Sequence, residues 1–315
     1  MVENYTGERI LMTGGTGFLG KYVLNKLVSG GNKPIVLSRN FKPEFIAEHL
    51  EKIIPVTIDL SDDRALSVVF ENYKPHKVIH LAGSSGKTKE SQTNLEKINY
   101  EATARLLEIA VESDVRRIVM TGTADEYGFQ TQPQKETMTA EPVSEYAVSK
   151  NKAVNHALFL FKERKLPVVI LRPFTVYGIG QPSEMFVSQA VECALRNSPL
   201  AMSNGTQKRD LVFVEDFADA MMKALSAENI EGEIFNVGSG TAIALRDLAK
   251  KIWKLAGADA KLLKIGARRT NENELHDTLA DISKIKAFLG WESKITIEEG
   301  LKIIIEDTKK KLNER

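Results

Sequence analysis

The chain has 315 residues, of which 43% are hydrophobic and 27% charged, and its formal net charge is +1. These values are typical of a globular protein with one or two domains and a large core. A balanced charge without basic or acidic blocks argues against nucleic acid or a membrane surface as the main partner. Since no apolar run could span a bilayer and no signal-peptide pattern is present, we expect a cytoplasmic protein.

A single cysteine and scattered histidines limit the covalent and metal chemistry. Cys193 cannot form an internal disulfide, and its apolar neighbours predict a small buried side chain. The five histidines lack the spacing of metal ligands. We therefore expect a protein without a metal site.

The first informative element is a glycine turn between a strand at residues 9–12 and a helical pattern at residues 18–28. The glycines recur as G-x-x-G-x-x-G. Gly14 can take the tight turn, Gly17 lets a pyrophosphate approach, and Gly20 lets the helix pack on the strand. The helix N-terminus offers N–H groups and partial positive charge to phosphates. The alternative is a glycine turn that binds nothing.

The second strand, residues 33–38, bears on the choice of cofactor. It ends in Ser38-Arg39-Asn40, where an NAD site usually carries an acidic residue. An arginine and a hydroxyl suit a 2′-phosphate, so the sequence favours NADP(H) and leaves NAD(H) as the alternative. A solvated Arg39 without a ligand is the other interpretation.

Small and polar residues follow the next two strands. After the third strand, residues 53–58, Asp59 either accepts from an adenine amino group or, like the serine two residues later, caps the following helix. The fourth strand, residues 77–82, contains His80, which we interpret as a hydrogen-bonded core histidine. It leads into Gly83-Ser84-Ser85, where small residues would let a cofactor cross the strand end and the serines are candidate sugar contacts.

Strands and helices alternate regularly up to residue 172. Helical patterns at 92–113 and 144–165 flank a strand at 116–120, and a further strand follows at 167–171. This alternation predicts an α/β fold with a doubly wound parallel sheet. Residues 1–172 are accordingly predicted to form a Rossmann NAD(P)-binding domain.

Beyond residue 172 the elements become shorter and glycine turns more frequent. These shorter elements and more frequent turns predict a smaller C-terminal α/β lobe, residues 173–315. This lobe is expected to bind the substrate in a cleft outside the carboxyl ends of the strands. Its helices are predicted at 183–196, 214–227, 244–254, 282–289 and 297–312.

A tyrosine and a lysine one helical turn apart carry the strongest indication of chemistry. Tyr146 and Lys150 share one helix face, where the ammonium is expected to lower the pKa of the phenol. A phenol tuned in this way can exchange a proton with a sugar hydroxyl or ketone as hydride moves. The pair alone is a weak signal, but Thr123, after the preceding strand, could bond the same substrate oxygen.

Together, these features resemble the extended short-chain dehydrogenases/reductases that act on nucleotide sugars. The resemblance extends from about residue 9 to the end of the chain. The motifs that carry it are Thr13-Gly-Gly-Thr-Gly-Phe-Leu-Gly20, Asp59-Leu60, His80-Leu-Ala82, Asn99, Thr123 with Tyr127-Gly128, Tyr146 with Lys150, Leu171-Arg-Pro173 with Tyr177-Gly178, Arg209-Asp210 with Asp216, Asn236-Val-Gly238, and Asp281 with Leu289-Gly-Trp291.

The resemblance implies roles for individual residues. Tyr146 is the acid/base, Lys150 orients it and holds the nicotinamide ribose, and Thr123 completes the catalytic set. Asn99 is a structural polar residue near the site. Arg209 pairs with the diphosphate of a nucleotide sugar, unless it forms a salt bridge to Asp210 or Asp216 instead.

The implied binding residues form two sets. The cofactor set is Gly14, Thr16, Gly17, Phe18, Leu19, Ser38, Arg39, Asn40, Asp59, Leu60, Leu81, Ala82, Gly83, Asn99, Thr121, Tyr146, Lys150 and Pro173. The substrate set is Ser84, Ser85, Thr123, Thr175, Arg209 and Arg268, with the following arginine as an alternative to Arg268. Two departures weaken the second set: Thr175 stands where many members have asparagine, and residues 268–274 lack the usual Arg-Pro-Gly-Asp.

Three reactions of the family compete, and the sequence favours reduction of a 4-keto-6-deoxy sugar by NADPH. A 4-epimerase with tightly bound NAD is the alternative. A 4,6-dehydratase using Asp125 is less favoured because dehydratases usually carry glutamate there, and a non-catalytic NADP-binding protein is least favoured. The resemblance also implies a homodimer, paired through a four-helix bundle of the two long helices.

Overall fold

Twelve strands and ten α-helices make up the described chain. The computed structural model describes residues 7–85, 94–269 and 277–314. The strands are β1 Ile10–Thr13, β2 Ile35–Ser38, β3 Ile54–Thr57, β4 Lys77–His80, β5 Arg117–Thr121, β6 Val168–Pro173, β7 Thr175–Tyr177, β8 Leu200–Met202, β9 Lys208–Phe213, β10 Ile234–Val237, β11 Ala242–Ala244 and β12 Leu263–Ile265. The helices are α1 Phe18–Ser29, α2 Pro43–His49, α3 Asp63–Tyr73, α4 Ala102–Val111, α5 Glu145–Arg164, α6 Phe186–Leu195, α7 Val214–Ser226, α8 Leu245–Ala256, α9 Ser283–Leu289 and α10 Ile297–Asn313.

Seven strands form the main sheet in the order β10-β6-β5-β4-β1-β2-β3. Every neighbouring pair is parallel. The chain order reverses at β1, because β2 and β4 pair with its opposite edges. In doubly wound sheets, ligands bind in the crevice outside the strand ends at this reversal.

Helices cover both faces of this sheet, so the strands are buried on both sides. Met12 packs in the core layer that contains α1 and α7, whereas its neighbour Leu11 packs in the layer that contains α3, α4 and α5. Alternate residues of a strand point to opposite faces, and both layers are apolar, as expected for a parallel sheet. The predicted doubly wound α/β fold is confirmed.

Residues beyond 172 form a further layer next to the sheet. Strands β11, β9 and β7 form a three-stranded sheet, and β12 pairs with β8. Helices α6, α8 and α10 enclose a separate apolar core that includes Phe213, Trp253 and Leu301. However, β10 and α7 join the main sheet layer, so this half of the chain supplies both layers. The domain boundary at 172 stays a prediction.

The predicted helix at 92–113 differs most from its expected form. Residues 92 and 93 lie outside the described residues, and a π-helix at Glu96–Glu101 precedes α4. The wider π turn places Asn99 in the interior, where its side chain bonds Ser84 and Ser149. The segment is therefore shorter and less regular than its apolar pattern indicates.

None of the helices in the described parts of the chain combines the length and apolar composition that a bilayer crossing demands. Over the same ranges, no three His, Cys, Asp or Glu residues cluster in a way that could hold a metal ion.

Candidate functional site

The glycine turn after β1 leaves no room for side chains. Gly14 has a φ of +72°, and a Cβ added to it would lie 2.5 Å from the carbonyl carbon of Leu81. A Cβ on Gly20 would collide with the carbonyl oxygen of Gly14. Gly17 begins α1 without a side-chain cap, so the N-terminal N–H groups of α1 face the turn. The chain therefore forms a main-chain cradle of the kind that fits a pyrophosphate.

A cavity of about 590 Å³, here called the glycine-turn cavity, extends from this cradle across the ends of β2, β3 and β4. Its lining contains most of the predicted cofactor set: Gly14, Thr16, Gly17, Ser38, Arg39, Asn40, Asp59, Leu60, Leu81, Ala82 and Gly83. The cavity connects the phosphate cradle with Arg39 and Asp59, which is the combination of groups that a dinucleotide site needs. Lys97 also lines this cavity, although no motif of the sequence indicates it.

At the outer end of the glycine-turn cavity, Asp59 already interacts with other residues of the protein. Two hydrogen bonds from Ser61 lower the pKa of Asp59, and the charge of Arg39 contributes to the same shift. Asp62, which accepts from the Ala65 N–H at 2.9 Å, is the actual cap of α3. The expectation that Asp59 or Ser61 caps this helix is therefore wrong.

Several residues of the predicted cofactor set do not line the glycine-turn cavity. Phe18 packs edge-on against Tyr22, and Leu19 packs against the cores. Thr121 accepts from the Lys150 ammonium at 3.4 Å. Pro173 and Tyr146 lie instead at the neighbouring cavity described below.

Asn99 acts on the loop after β4 and does not line either cavity. Its side-chain oxygen accepts from the Ser84 N–H at 2.8 Å, and its amide donates to the Ser84 carbonyl at 2.9 Å and to the Ser149 hydroxyl at 3.0 Å. Ser84 is thereby held by its main chain and does not line the neighbouring cavity, whereas Ser85 does. This bracing fits the structural role that the resemblance implies for Asn99, and the contacts of Asn99 with a cofactor and of Ser84 with a sugar stay predictions.

His80 is the core histidine that the sequence predicts. Its two ring nitrogens lie 2.8 Å from the hydroxyls of Thr13 and Thr103. Burial lowers the pKa of His80 to about 3, and the charge of Lys150 adds to this effect. The ring is therefore neutral at physiological pH and joins β1 to α4.

Thr123, Tyr146 and Lys150 converge after β5. Thr123 caps the 3-10 turn at Ala124–Tyr127, and Ser144 caps α5 by accepting from the Ala147 N–H at 3.1 Å. These two caps fix the entries to both segments. They bring the Thr123 hydroxyl into hydrogen-bond contact with the Tyr146 phenol.

The expected lowering of the tyrosine pKa by lysine is wrong for this chain's own residues. Burial raises the pKa of Tyr146, the carboxylates of Asp125 and Glu126 raise it further, and the hydrogen bond from Thr123 opposes them. Burial also lowers the pKa of Lys150 to about 8, against the charge of Glu126. Spacing places both groups on one helix face, but desolvation dominates their protonation.

A second cavity of about 800 Å³, here called the tyrosine cavity, extends from Tyr146 towards β9. Its lining contains most of the predicted catalytic and substrate residues: Ser85, Thr123, Asp125, Tyr146, Thr175 and Arg209. Other lining residues, which the sequence analysis did not single out, are Glu145, Phe174, Gln181, Phe186, Leu211, Leu245 and Thr278. The residues predicted to act in catalysis and the arginine predicted to bind phosphate thus line the same cavity.

The two arginines expected at the diphosphate differ in position. Arg209 is half-buried at the tyrosine cavity and donates to the Lys208 carbonyl at 2.9 Å. Asp210 and Asp216, its alternative partners, are each engaged by several other donors. Arg268 is exposed, does not line the cavity, and its N–H donates to the Met202 carbonyl at 3.1 Å. Its substrate role is not supported by this position.

Comparison with known proteins agrees with this geometry. Residues 10–238 match the sequence model of the NAD-dependent epimerase/dehydratase family. A UDP-glucuronate 4-epimerase of Thermodesulfobacterium geofontis is 30% identical over 250 residues, which cover 78% of this chain and 76% of that protein.

Two solved structures are similar over nearly the whole length. The UDP-glucose 4-epimerase of Thermotoga maritima, solved with UDP-glucose, has a TM-score of 0.89 and 27% identity over 96% of this chain and 99% of its own. MoeE5, solved with UDP-glucose and NAD, has a TM-score of 0.86 and 28% identity over the same shares. The chain therefore belongs to the NAD-dependent epimerase/dehydratase family.

Proposed function

We propose that this protein transfers hydride between a nicotinamide dinucleotide and C4 of a nucleotide-diphosphate sugar, with Tyr146 exchanging the proton. The observation that carries the proposal is the shared lining of the tyrosine cavity, which joins Thr123 and Tyr146 to Arg209. The glycine-turn cavity provides the cradle for the dinucleotide. When bound there, the nicotinamide would accept or return the hydride.

The chain's own residues support proton transfer in both directions. Because burial keeps the Tyr146 phenol protonated at neutral pH, it is ready to protonate the alkoxide that forms when a 4-ketone is reduced. In the oxidative direction it must take the proton of the C4 hydroxyl as phenolate, which a positive charge beside it would favour. The Thr123 hydroxyl can donate to the same oxygen, and Arg209 would hold the diphosphate.

Epimerisation at C4 is the outcome that we propose first. The similar proteins named above include 4-epimerases that act on or bind UDP-sugars, and oxidation followed by re-reduction on the other face needs no group beyond the set already described. This revises the order derived from the sequence, in which reduction was favoured.

A free-standing 4-keto reductase is the second candidate, and Arg39 favours it. Arg39 and Ser38 line the outer end of the glycine-turn cavity, where a 2′-phosphate of NADP would lie. Asp125 beside Tyr146 leaves elimination as a third outcome. The helices α4 and α5 are proposed as the homodimer interface, supported by the exposed Phe159 on α5.

The decisive substitution is Tyr146→Phe. We expect turnover of a nucleotide sugar to fall by roughly 1000-fold, while NAD(P) affinity stays unchanged, because the phenol lies at the tyrosine cavity. Tyr73→Phe, on α3 away from both cavities, is the matched control. Undiminished turnover in Tyr146→Phe would refute the proton-transfer role.

The three outcomes are separated by products and cofactor balance. An epimerase interconverts UDP-glucose and its C4 epimer with no net oxidation of NADPH. A reductase consumes one NADPH for each 4-keto sugar, and a dehydratase forms a 4-keto-6-deoxy sugar from the hexose. Failure to turn over either class of substrate, with cofactor bound, would favour the non-catalytic interpretation.

A further inference from the structure

Glu126 is a completely buried carboxylate directly behind the reacting groups. Its Oε1 accepts from the Thr123 N–H at 2.7 Å, and its Oε2 accepts from Nη2 of Arg172 at 2.7 Å. A Cβ on Gly122 would lie 2.5 Å from the same Oε1, so the carboxylate is tightly enclosed. The guanidinium of Arg172 also lies over the ring of Tyr127, 4.6 Å from its centroid.

A purely structural account of this ion pair is weak. Glu126 and Thr123 form a capping box, but that motif needs only a side-chain acceptor and no buried charge. Replacing a buried ion pair by apolar residues is often neutral or stabilising, because desolvation offsets the attraction between the charges. Arg172 also leaves its Nε and Nη1 without a hydrogen-bond partner. The presence of this buried ion pair is therefore better explained by its position next to Thr123 than by a contribution to stability.

We propose that Glu126, held in place by Arg172, is a positioning residue for the proton transfer at Tyr146. It fixes the Thr123 hydroxyl against the phenol, and it maintains a negative charge behind Tyr146 and Lys150. Its effect on turnover rests on the proposed function. Its electrostatic effect on Lys150 does not, because that effect is a property of the protein without substrate.

The charged surroundings of Lys150 single out Glu126 among the described residues. Thr121 on β5 is a neutral acceptor, and His80 on β4 is held neutral by a pKa of about 3. On its own helix, Tyr146 is protonated at neutral pH. Glu126 is the carboxylate that raises the pKa of Lys150 against the effect of burial.

The same charge acts on the phenol. Glu126 and Asp125 both raise the pKa of Tyr146. Asp125 lines the tyrosine cavity, whereas Glu126 is completely buried and does not line it, so the charge of Glu126 is not screened by solvent. Removing it would favour the deprotonated forms of both groups, and the unpaired Arg172 would act in the same direction.

The test is Glu126→Gln, which keeps an oxygen acceptor for the Thr123 N–H and removes the charge. The pH titration of the Lys150 13Cε resonance is followed by NMR without substrate, with Lys150→Arg for assignment. We expect the midpoint to fall by about one unit from the wild-type value near 8. Asp216→Asn is the matched control, since Asp216 is buried and multiply hydrogen-bonded in the 293–295 turn. It should leave the midpoint unchanged.

The second readout is the pH dependence of kcat for C4 oxidation. The acidic limb, governed by the Tyr146 phenol, should move by about one unit to lower pH in Glu126→Gln, with KM little changed. If the single variant does not fold, Glu126→Gln combined with Arg172→Gln removes both charges and should give intermediate midpoints. Unchanged Lys150 midpoints in the folded variant would overturn the proposal. A shifted midpoint together with full turnover by Tyr146→Phe would overturn the proposed function alone.

Discussion

The glycine-turn cavity combines the main chain of a glycine turn with residues that follow β2, β3 and β4, whereas the tyrosine cavity is lined by residues from both halves of the chain. In the first, a Cβ on Gly14 would lie 2.5 Å from the carbonyl carbon of Leu81, and a Cβ on Gly17 would lie 3.3 Å from the carbonyl oxygen of Gly14. In the second, Thr123 and Arg209 come from segments far apart in sequence and meet only in the folded protein.

This difference explains how one fold can serve several sugars. A main-chain cradle cannot change without backbone strain, so it is suited to a ligand that stays the same. A lining of side chains can be exchanged without altering the sheet, so it is suited to a ligand that varies. Substitutions should therefore act on one cavity at a time.

Among the substitutions that test binding at the two cavities, Gly14→Ala is expected to have the largest effect and to act on the glycine-turn cavity alone. The new Cβ would meet the Leu81 carbonyl carbon at 2.5 Å in a left-handed conformation, so the main-chain cradle must shift. Dinucleotide affinity, measured by calorimetry, should fall by roughly 100-fold, while a nucleoside diphosphate binds normally.

Gly31→Ala provides a matched control for backbone strain. Gly31 also has a positive φ, +79°, but a Cβ there would meet nothing within 4 Å. This variant should lose some stability and keep its dinucleotide affinity. Equal losses of affinity in both variants would mean that strain anywhere in this layer, and not the cradle, controls binding.

Arg209→Ala is expected to act on the tyrosine cavity alone. Loss of a charge-assisted contact to the diphosphate should raise the KM of a nucleotide sugar by about 30-fold, with kcat and dinucleotide affinity nearly unchanged. Arg268→Ala is the control, since Arg268 is exposed and lies outside the cavity. If Arg268→Ala raised KM as much as Arg209→Ala, the placement of the second phosphate contact would have to be reversed.

The parts of the molecule that depend on local sequence were predictable. The glycine turn, the strand ends and the helix that carries Tyr146 and Lys150 follow from periodicity and spacing, and the structure has them within a few residues of their predicted bounds. The pairing of β10 with β6 was not predictable in this way, because it joins strands separated by more than 60 residues.

Contacts that depend on burial or on distant segments could not be predicted in the same way. The sequence allows Glu126 to fix the loop after β5, as the last residue of a capping-box pattern beginning at Thr123, but its partner Arg172 lies 46 residues further along the chain. The direction of the Tyr146 pKa shift could not be predicted, because helical spacing shows which side chains are neighbours but not how strongly burial desolvates them. Lys97 lines a cavity from within a π-helix, a helix type that no pattern of the sequence indicates.

Arg39→Ala is expected to have the smallest effect. It tests whether the outer end of the glycine-turn cavity distinguishes NADP from NAD. Arg39 is exposed, so its attraction to a 2′-phosphate is screened by solvent. NADP affinity should fall by about 10-fold and NAD affinity by less than about 2-fold. Lys97→Ala, at the same cavity, separates a specific contact from a general loss of positive charge. Equal losses for both dinucleotides in Arg39→Ala would remove the main support for an NADPH-dependent reductase, because the outer end of the cavity would then not distinguish the two cofactors.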